Sequence, residues 1–140
     1  MTKIIKVPYT GFSQQFLQEK EELLAVITAT LERGDYVLGQ AVREFEERIA
    51  ALCGVRSAIG VGSGTDALVL ALKALGVGVG DEVITVANSW ISTASCIALV
   101  GAKPVFVDIR DDLNIDPELI EPAITSKTKA IIPVHLTGRP

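Results

Sequence analysis

The chain of 140 residues carries a formal net charge of −4, and 5% of its residues are aromatic, so neither a basic surface nor a set of stacking rings for nucleic acid is expected. Its length suits one domain, or one piece of a larger one. Cys53 and Cys96 lack the spacing of a disulfide framework, and His135 is the single histidine, so we expect reduced thiols, no metal site and a cytoplasmic location.

Two amphipathic helices are predicted in the first part of the chain. Residues 15–33 and 42–52 carry apolar side chains three and four positions apart, the spacing of one helix face. Gly34 and Gly54 follow the two patterns as plausible helix stops, and a turn-like stretch, residues 34–39, separates them.

After residue 55 the pattern changes to short apolar runs rich in Val and Ile, which alternate with helical segments. One of these helical segments has Asp116 as its N-cap and Pro117 at its first position. The predicted strands are residues 57–61, 82–87, 104–109 and 129–136, and the predicted helices between them are residues 65–75, 91–100 and 117–124.

This alternation predicts an α/β fold. Strands that are apolar on both faces and joined by helical crossovers form a mostly parallel sheet with helices on both faces, in three layers. Residues 1–54 are interpreted as an amino-terminal helical segment, and residues 55–140 as the first part of the α/β domain. Residues 67–75, within the predicted helix over residues 65–75, are apolar almost all round, broken only by Lys73, which predicts that this helix is buried between layers. We therefore expect the chain alone to be prone to association, because part of that cover would be missing.

Ligands of open parallel sheets gather at the carboxyl ends of the strands, so the polar residues after each predicted strand are the candidate site. The first is the turn Ser63, Gly64, Thr65 and Asp66, which opens an apolar helix. Backbone N–H groups at such a helix end bind phosphate, but Ser, Thr and Asp are also ordinary N-cap residues. The pattern leaves both interpretations open.

Neither of the two common nucleotide motifs is complete at this turn. Gly60, Gly62 and Gly64 give GxGxG, but Thr65 stands where the third glycine of a dinucleotide site would fall, and no acidic residue closes the second strand. The lysine of an NTPase P-loop is also missing. An NAD-dependent enzyme is therefore disfavoured.

Three further side chains follow the predicted strands. Trp90 could stack on a flat cofactor or anchor the start of a helix. His135 could be an acid, a base or a ring contact, or a hydrogen-bonded structural residue. Asn88 could line the same site, whereas Asp108 suits a capping role.

The ordered motifs resemble the DegT/DnrJ/StrS aminotransferases over nearly the whole chain. They are GDYVLGQAVREFEERIAALCGV, then SGTDALVLALKALGVGVGDEVITVANSWISTASCIALVGAKPVFVDI, then IDPELIEPAITSKTKAIIPVHLTGRP. The resemblance implies the large domain of a fold-type I enzyme that uses pyridoxal 5'-phosphate to transfer an amino group from glutamate or glutamine to a keto sugar, usually linked to a nucleotide. It also implies a homodimer, in which residues 34–39 lie close to the partner's site.

The resemblance also implies roles for individual residues. Gly64 and Thr65 match the family's phosphate cradle, with Asp66 beside them, and Trp90 matches the aromatic ring over the pyridine. His135 matches the histidine of the family's VHLYG stretch, where Thr137 replaces the usual tyrosine. Ser63, Asn88 and His135 are expected to line the site.

No catalytic residue is expected within the 140 residues, because the family's Schiff-base lysine and its aspartate on the pyridine nitrogen lie beyond Pro140. We therefore expect the chain alone to bind the cofactor weakly and to be inactive. A non-catalytic relative that binds a phosphate ligand or regulates is the alternative function.

Overall fold

The computed structural model describes residues 9–140, so the first eight residues of the predicted segment 1–54 lie outside the description. The chain forms two compact units, of which the first ends at Gly60 and the second spans Val61–Pro140. Within residues 9–140, no helix combines the length and the apolar character that crossing a membrane requires.

Two helices make up most of the first unit, as predicted. Helix α1 spans Phe12–Glu32 and helix α2 spans Gln40–Cys53. Gly54 ends α2 with φ of 64°, a left-handed conformation that glycine adopts without strain. The backbone N–H of Gln40, at the start of α2, donates to the Asp35 carboxylate at 3.0 Å. The turn before α2 therefore supplies a cap for that helix.

The predicted strand over residues 57–61 is wrong, because this segment forms no strand in the structure. Its end is held by a side chain, since the N–H of Gly60 donates to Glu46 Oε1 of α2 at 2.6 Å. An apolar run becomes a strand only where a neighbouring strand accepts its hydrogen bonds. No such neighbour pairs with it among residues 9–140.

Three parallel strands form the sheet of the second unit. They are β1, Glu82–Val86, β2, Lys103–Val107, and β3, Thr128–Ile131, in the order β2-β1-β3. Ile84 of β1 lies opposite Val105 of β2 and Ile131 of β3. The parallel pairing confirms the predicted fold class with three strands instead of four.

The helices of this unit connect the strands or precede them. Helix α3 spans Gly64–Ala74 before β1, and helix α4 spans Ser92–Leu99 between β1 and β2. The chain moves from the central strand to β2 and then back across to β3. Right-handed crossovers therefore place α4 and the second connection on opposite faces of the sheet.

The predicted helix over residues 117–124 is only partly formed. A 3-10 turn, Pro117–Leu119, leads into the short helix α5, Ile120–Ala123. The predicted cap is present, since the Asp116 side chain accepts the N–H of Glu118 at 3.0 Å. Pro122 has no N–H to donate, which limits the length of a regular helix here.

Strand β3 is shorter than predicted, because it ends at Ile131 instead of continuing to residue 136. The N–H of Ile132 still donates to Ile84 O at 2.9 Å, but the next residue is Pro133, which cannot donate to the ladder. Thr85 Oγ1 donates to Ile132 O at 2.9 Å. This side-chain bond holds the chain to β1 at the point where β3 ends.

The core lies around β1, whose four residues from Val83 to Val86 are all buried, so both faces of the sheet are covered. On one face, Val83 packs with Leu72 of α3 and Ile97 of α4. The expected burial of α3 holds only on that side, since Leu70 is 52% exposed. Part of the apolar surface of α3 is therefore exposed in this chain.

Candidate functional site

The turn before α3 begins with an N-cap. Ser63 has an extended backbone, and its hydroxyl oxygen accepts the N–H of Asp66 at 3.1 Å. The same hydroxyl donates to Asp66 Oδ2 at 2.9 Å. Ser63 and Asp66 therefore satisfy each other, which is the capping role that the sequence left open for them.

The cap does not occupy the first two donors of α3. The N–H groups of Gly64 and Thr65 are at the start of the helix, where no preceding turn offers an acceptor. A Cβ built on Gly64 would meet no described atom within 4 Å, so the backbone is approachable there. The helix end consequently keeps two donors for an anion, next to the positive end of the helix dipole.

A hydrogen bond between hydroxyl groups joins the starts of α3 and α4. Thr65 Oγ1 lies 2.7 Å from Ser92 Oγ, and both residues are half-buried. A second pair joins the segment before α4 to that helix, since Ser89 Oγ lies 2.7 Å from Thr93 Oγ1. Two helix starts and four hydroxyl groups therefore meet at one edge of the sheet.

Trp90 lies at the same edge, two residues before Ser92. Its side chain is 76% exposed, while its carbonyl oxygen accepts the N–H of Thr93 at 3.0 Å. A small cleft of about 140 Å³ lies beside the indole, between the end of β1 and the start of α4; its lining includes Ser89, Thr93 and Phe106. An exposed indole beside a partly apolar cleft offers a flat apolar surface to a ring-shaped ligand.

Asn88 and His135 follow β1 and β3, whose carboxyl ends meet at this edge because the strands are parallel. Asn88 is half-buried, whereas His135 is exposed in a turn in which its carbonyl oxygen accepts the N–H of Gly138 at 3.0 Å. Neither side chain forms a hydrogen bond with another described residue. Asp108 accepts the N–H of Ile109, a local capping contact.

The opposite edge of the sheet holds an ion pair and a hydrogen-bonded carboxylate. Glu82, at the start of β1, accepts a hydrogen bond from Thr125 at 2.7 Å and pairs with Lys103 at 3.4 Å. The hydrogen bond from Thr125, followed by the charge of Lys103, holds the pKa of Glu82 below its ordinary value. Lys103 is thus directed to a carboxylate far from the turn of Gly64 and Thr65.

The sequence did not indicate Ser92 as a candidate site residue, although its side chain contacts the candidate Thr65. The available signal was a hydroxyl residue in the first turn of an otherwise apolar helix, following a strand. That signal is weak, because serine is common in first turns and the sequence does not reveal which side chain it faces.

Comparison with known proteins gives a consistent result over most of the chain. Residues 17–140 match the model of the DegT/DnrJ/EryC1/StrS aminotransferase family. A pleiotropic regulatory protein of Geobacillus stearothermophilus is 48% identical over 96% of the chain and 37% of its own length. UDP-2-acetamido-2-deoxy-3-oxo-D-glucuronate aminotransferase of Pseudomonas aeruginosa is 46% identical over 95% of the chain and 37% of its own length.

Solved structures agree with the sequence relatives. S. venezuelae DesV, in complex with a ketimine intermediate, superposes with a TM-score of 0.92 and 41% identity over 96% of the chain and 37% of its own. NtdA of Bacillus subtilis, with bound cofactor PMP, gives a TM-score of 0.93 and 38% identity over 99% of the chain and 32% of its own. The present chain thus spans just over a third of the length of the curated relatives it matches. The chain belongs to the DegT/DnrJ/EryC1/StrS aminotransferase family.

Proposed function

We propose that this chain is the amino-terminal part of an aminotransferase that uses pyridoxal 5'-phosphate to place an amino group on a keto sugar. The proposal rests on family membership and on one observation, the Thr65 to Ser92 hydrogen bond that joins two helix starts beside an exposed indole. Relatives named as transaminases of UDP- and dTDP-linked sugars favour a nucleotide-linked acceptor. Glutamate or glutamine is the proposed amino donor.

The described residues suit the two parts of this cofactor. The free N–H groups of Gly64 and Thr65, with the Thr65 hydroxyl, are donors for the phosphate, and Trp90 offers a face to the pyridine ring. The cofactor would supply the carbonyl group and the electron-withdrawing ring that amino transfer requires. This chain's residues would hold and orient it, with Ser63, Asp66, Asn88 and His135 around it.

The remaining parts of the proposal concern the whole protein. We assign residues 1–54 to the amino-terminal helical segment and residues 55–140 to the cofactor-binding domain, in a cytoplasmic homodimer. The chain alone should bind the cofactor with a dissociation constant of about 1 mM, since a few phosphate hydrogen bonds must offset the cost of association. No contact among residues 9–140 favours the non-catalytic alternative.

The phosphate site can be tested with ligands that lack the reactive aldehyde, so that surface lysines do not interfere. Pyridoxine 5'-phosphate and pyridoxine differ only in the phosphate, and quenching of the fluorescence of Trp90, the single tryptophan, reports binding. We expect the phosphorylated ligand to bind more tightly, and Thr65→Val to weaken it about tenfold, a typical loss for a hydrogen bond to a charged group.

The control is Thr30→Val, the same substitution in α1, where the hydroxyl only donates to Val26 O of its own helix. It should leave both affinities unchanged. Equal affinity for the two ligands, or a Thr65→Val protein that binds like the unmodified chain, would remove the basis of the proposal.

A further inference from the structure

Which of the two hydroxyl groups donates in the Thr65–Ser92 hydrogen bond decides whether Thr65 can also donate to an anion. A hydroxyl group has a single hydrogen, so only one of the two can donate across the 2.7 Å contact. If Thr65 donates to Ser92, it has no hydrogen left for a phosphate oxygen. If Ser92 donates, the Thr65 hydrogen stays free and the Thr65 oxygen is held in place.

We propose that Ser92 is a positioning residue for the phosphate site, because its hydroxyl donates to Thr65 Oγ1 and thereby directs the Thr65 hydrogen toward the anion. The inference rests on the function proposed above. A bound phosphate favours this direction, because the Thr65 hydrogen is available to a phosphate oxygen only when Ser92 is the donor. The chain of donors from Ser92 through Thr65 also polarises the Thr65 hydroxyl group, which strengthens its bond to the anion.

The surrounding contacts leave Ser92, and not the neighbouring Thr93, to hydrogen-bond with Thr65. Thr65 and Ser92 are 27 residues apart in sequence, so the contact depends on the packing of α3 against α4 and not on local geometry. The next residue of α4 cannot substitute, because the hydroxyl group of Thr93 is paired with Ser89. Both members of the Thr65 to Ser92 pair are half-buried, so water competes weakly for the bond.

The test compares the Ser92→Ala and Ser92→Thr variants of the 140-residue chain. Ser95→Ala is the matched control on the same helix. Quenching of the Trp90 fluorescence is again measured with pyridoxine 5'-phosphate and with pyridoxine. We expect Ser92→Ala to weaken the phosphorylated ligand about threefold to tenfold and to leave pyridoxine affinity unchanged. Ser92→Thr, which keeps a hydroxyl group, should restore most of the affinity, and Ser95→Ala should bind like the unmodified chain.

A double substitution separates positioning from a general effect on the fold. If Ser92 acts through Thr65, adding Ser92→Ala to Thr65→Val should weaken phosphate binding no further. Additive losses, equal weakening of both ligands, or no effect of Ser92→Ala would each overturn the inference while the proposed function stands. If the unmodified chain itself does not prefer the phosphorylated ligand, the proposed function fails and the inference fails with it.

Discussion

The Thr85 hydroxyl group should contribute more to stability than the Thr85 methyl group, although the residue is completely buried in an apolar core. Its side chain has no exposed surface, and Thr85 Oγ1 donates to Ile132 O at 2.9 Å. Thr85→Val preserves shape but leaves that carbonyl oxygen without its side-chain donor, which costs about 1 to 3 kcal/mol. Thr85→Ser keeps the donor and removes one methyl group, which costs about 1 kcal/mol.

Urea unfolding followed by far-ultraviolet circular dichroism measures both free energies of unfolding; the Trp90 emission is less suitable because the indole is already exposed in the folded chain. Hydrogen exchange adds a local test, since the N–H of Ile132 donates to Ile84 O beside the altered bond and should exchange faster in Thr85→Val. A Thr85→Ser protein less stable than Thr85→Val would refute the reasoning, because packing would then outweigh the hydrogen bond.

Four other outcomes are expected. A hydrogen bond from Thr125 lowers the folded-state pKa of Glu82. The stability that the Glu82 carboxylate contributes is therefore complete above the ordinary pKa of about 4.5 and is lost as the pH falls through the folded pKa. In Glu82→Gln, the free energy of unfolding in urea should vary less with pH across this acid range. Burial raises the pKa of the Cys96 thiol, so a thiol reagent at pH 8 should label only the exposed Cys53 until urea is added. Gly101→Ala should cost about 1 to 2 kcal/mol in urea unfolding, because Gly101 has φ of 84°, and a loss near zero would contradict this. The chain at micromolar concentration should sediment as associated species, because α3 keeps an exposed apolar face, and a single monomer boundary would argue against it.

The elements that the sequence predicted well are those defined by local chemistry. Gly54 ends α2 in the left-handed conformation that is expected where a helix stops. Asp116 caps the 3-10 turn that begins at Pro117. The four consecutive apolar or β-branched residues from Val83 to Val86 predicted a strand covered on both faces, and all four are buried. In each case the signal and its structural effect lie within a few residues of each other.

The elements that were predicted poorly depend on partners distant in the sequence, or contain a proline whose effect was given too little weight. Residues 57–61 have the composition of a strand, but no strand pairs with them within the described range 9–140, and a local pattern does not reveal this. Pro133 and Pro122 were visible in the sequence and account for the early end of β3 and the shortness of α5.

In the candidate site, too, the local contacts were predictable from the sequence and the long-range contacts were not. The cap formed by Ser63 and Asp66 follows from residues three positions apart, so the sequence could propose it. The contact between Thr65 and Ser92 spans 27 residues and depends on how two helices pack. The positions of Gly64 and Trp90 after predicted strands made them candidates, and the family resemblance assigned their roles, whereas the contact of Ser92 with Thr65 became visible only in three dimensions.

The strand order has a consequence for how the chain can self-associate. Strands β2 and β3 have no second neighbour among residues 9–140, so each offers open backbone donors and acceptors to another molecule. Lysine side chains, Lys103 and Lys129, stand on these two borders, and Pro104 removes one donor from β2. Fibre growth by strand addition is therefore disfavoured, and clustering of this chain should proceed through its helices and stay amorphous.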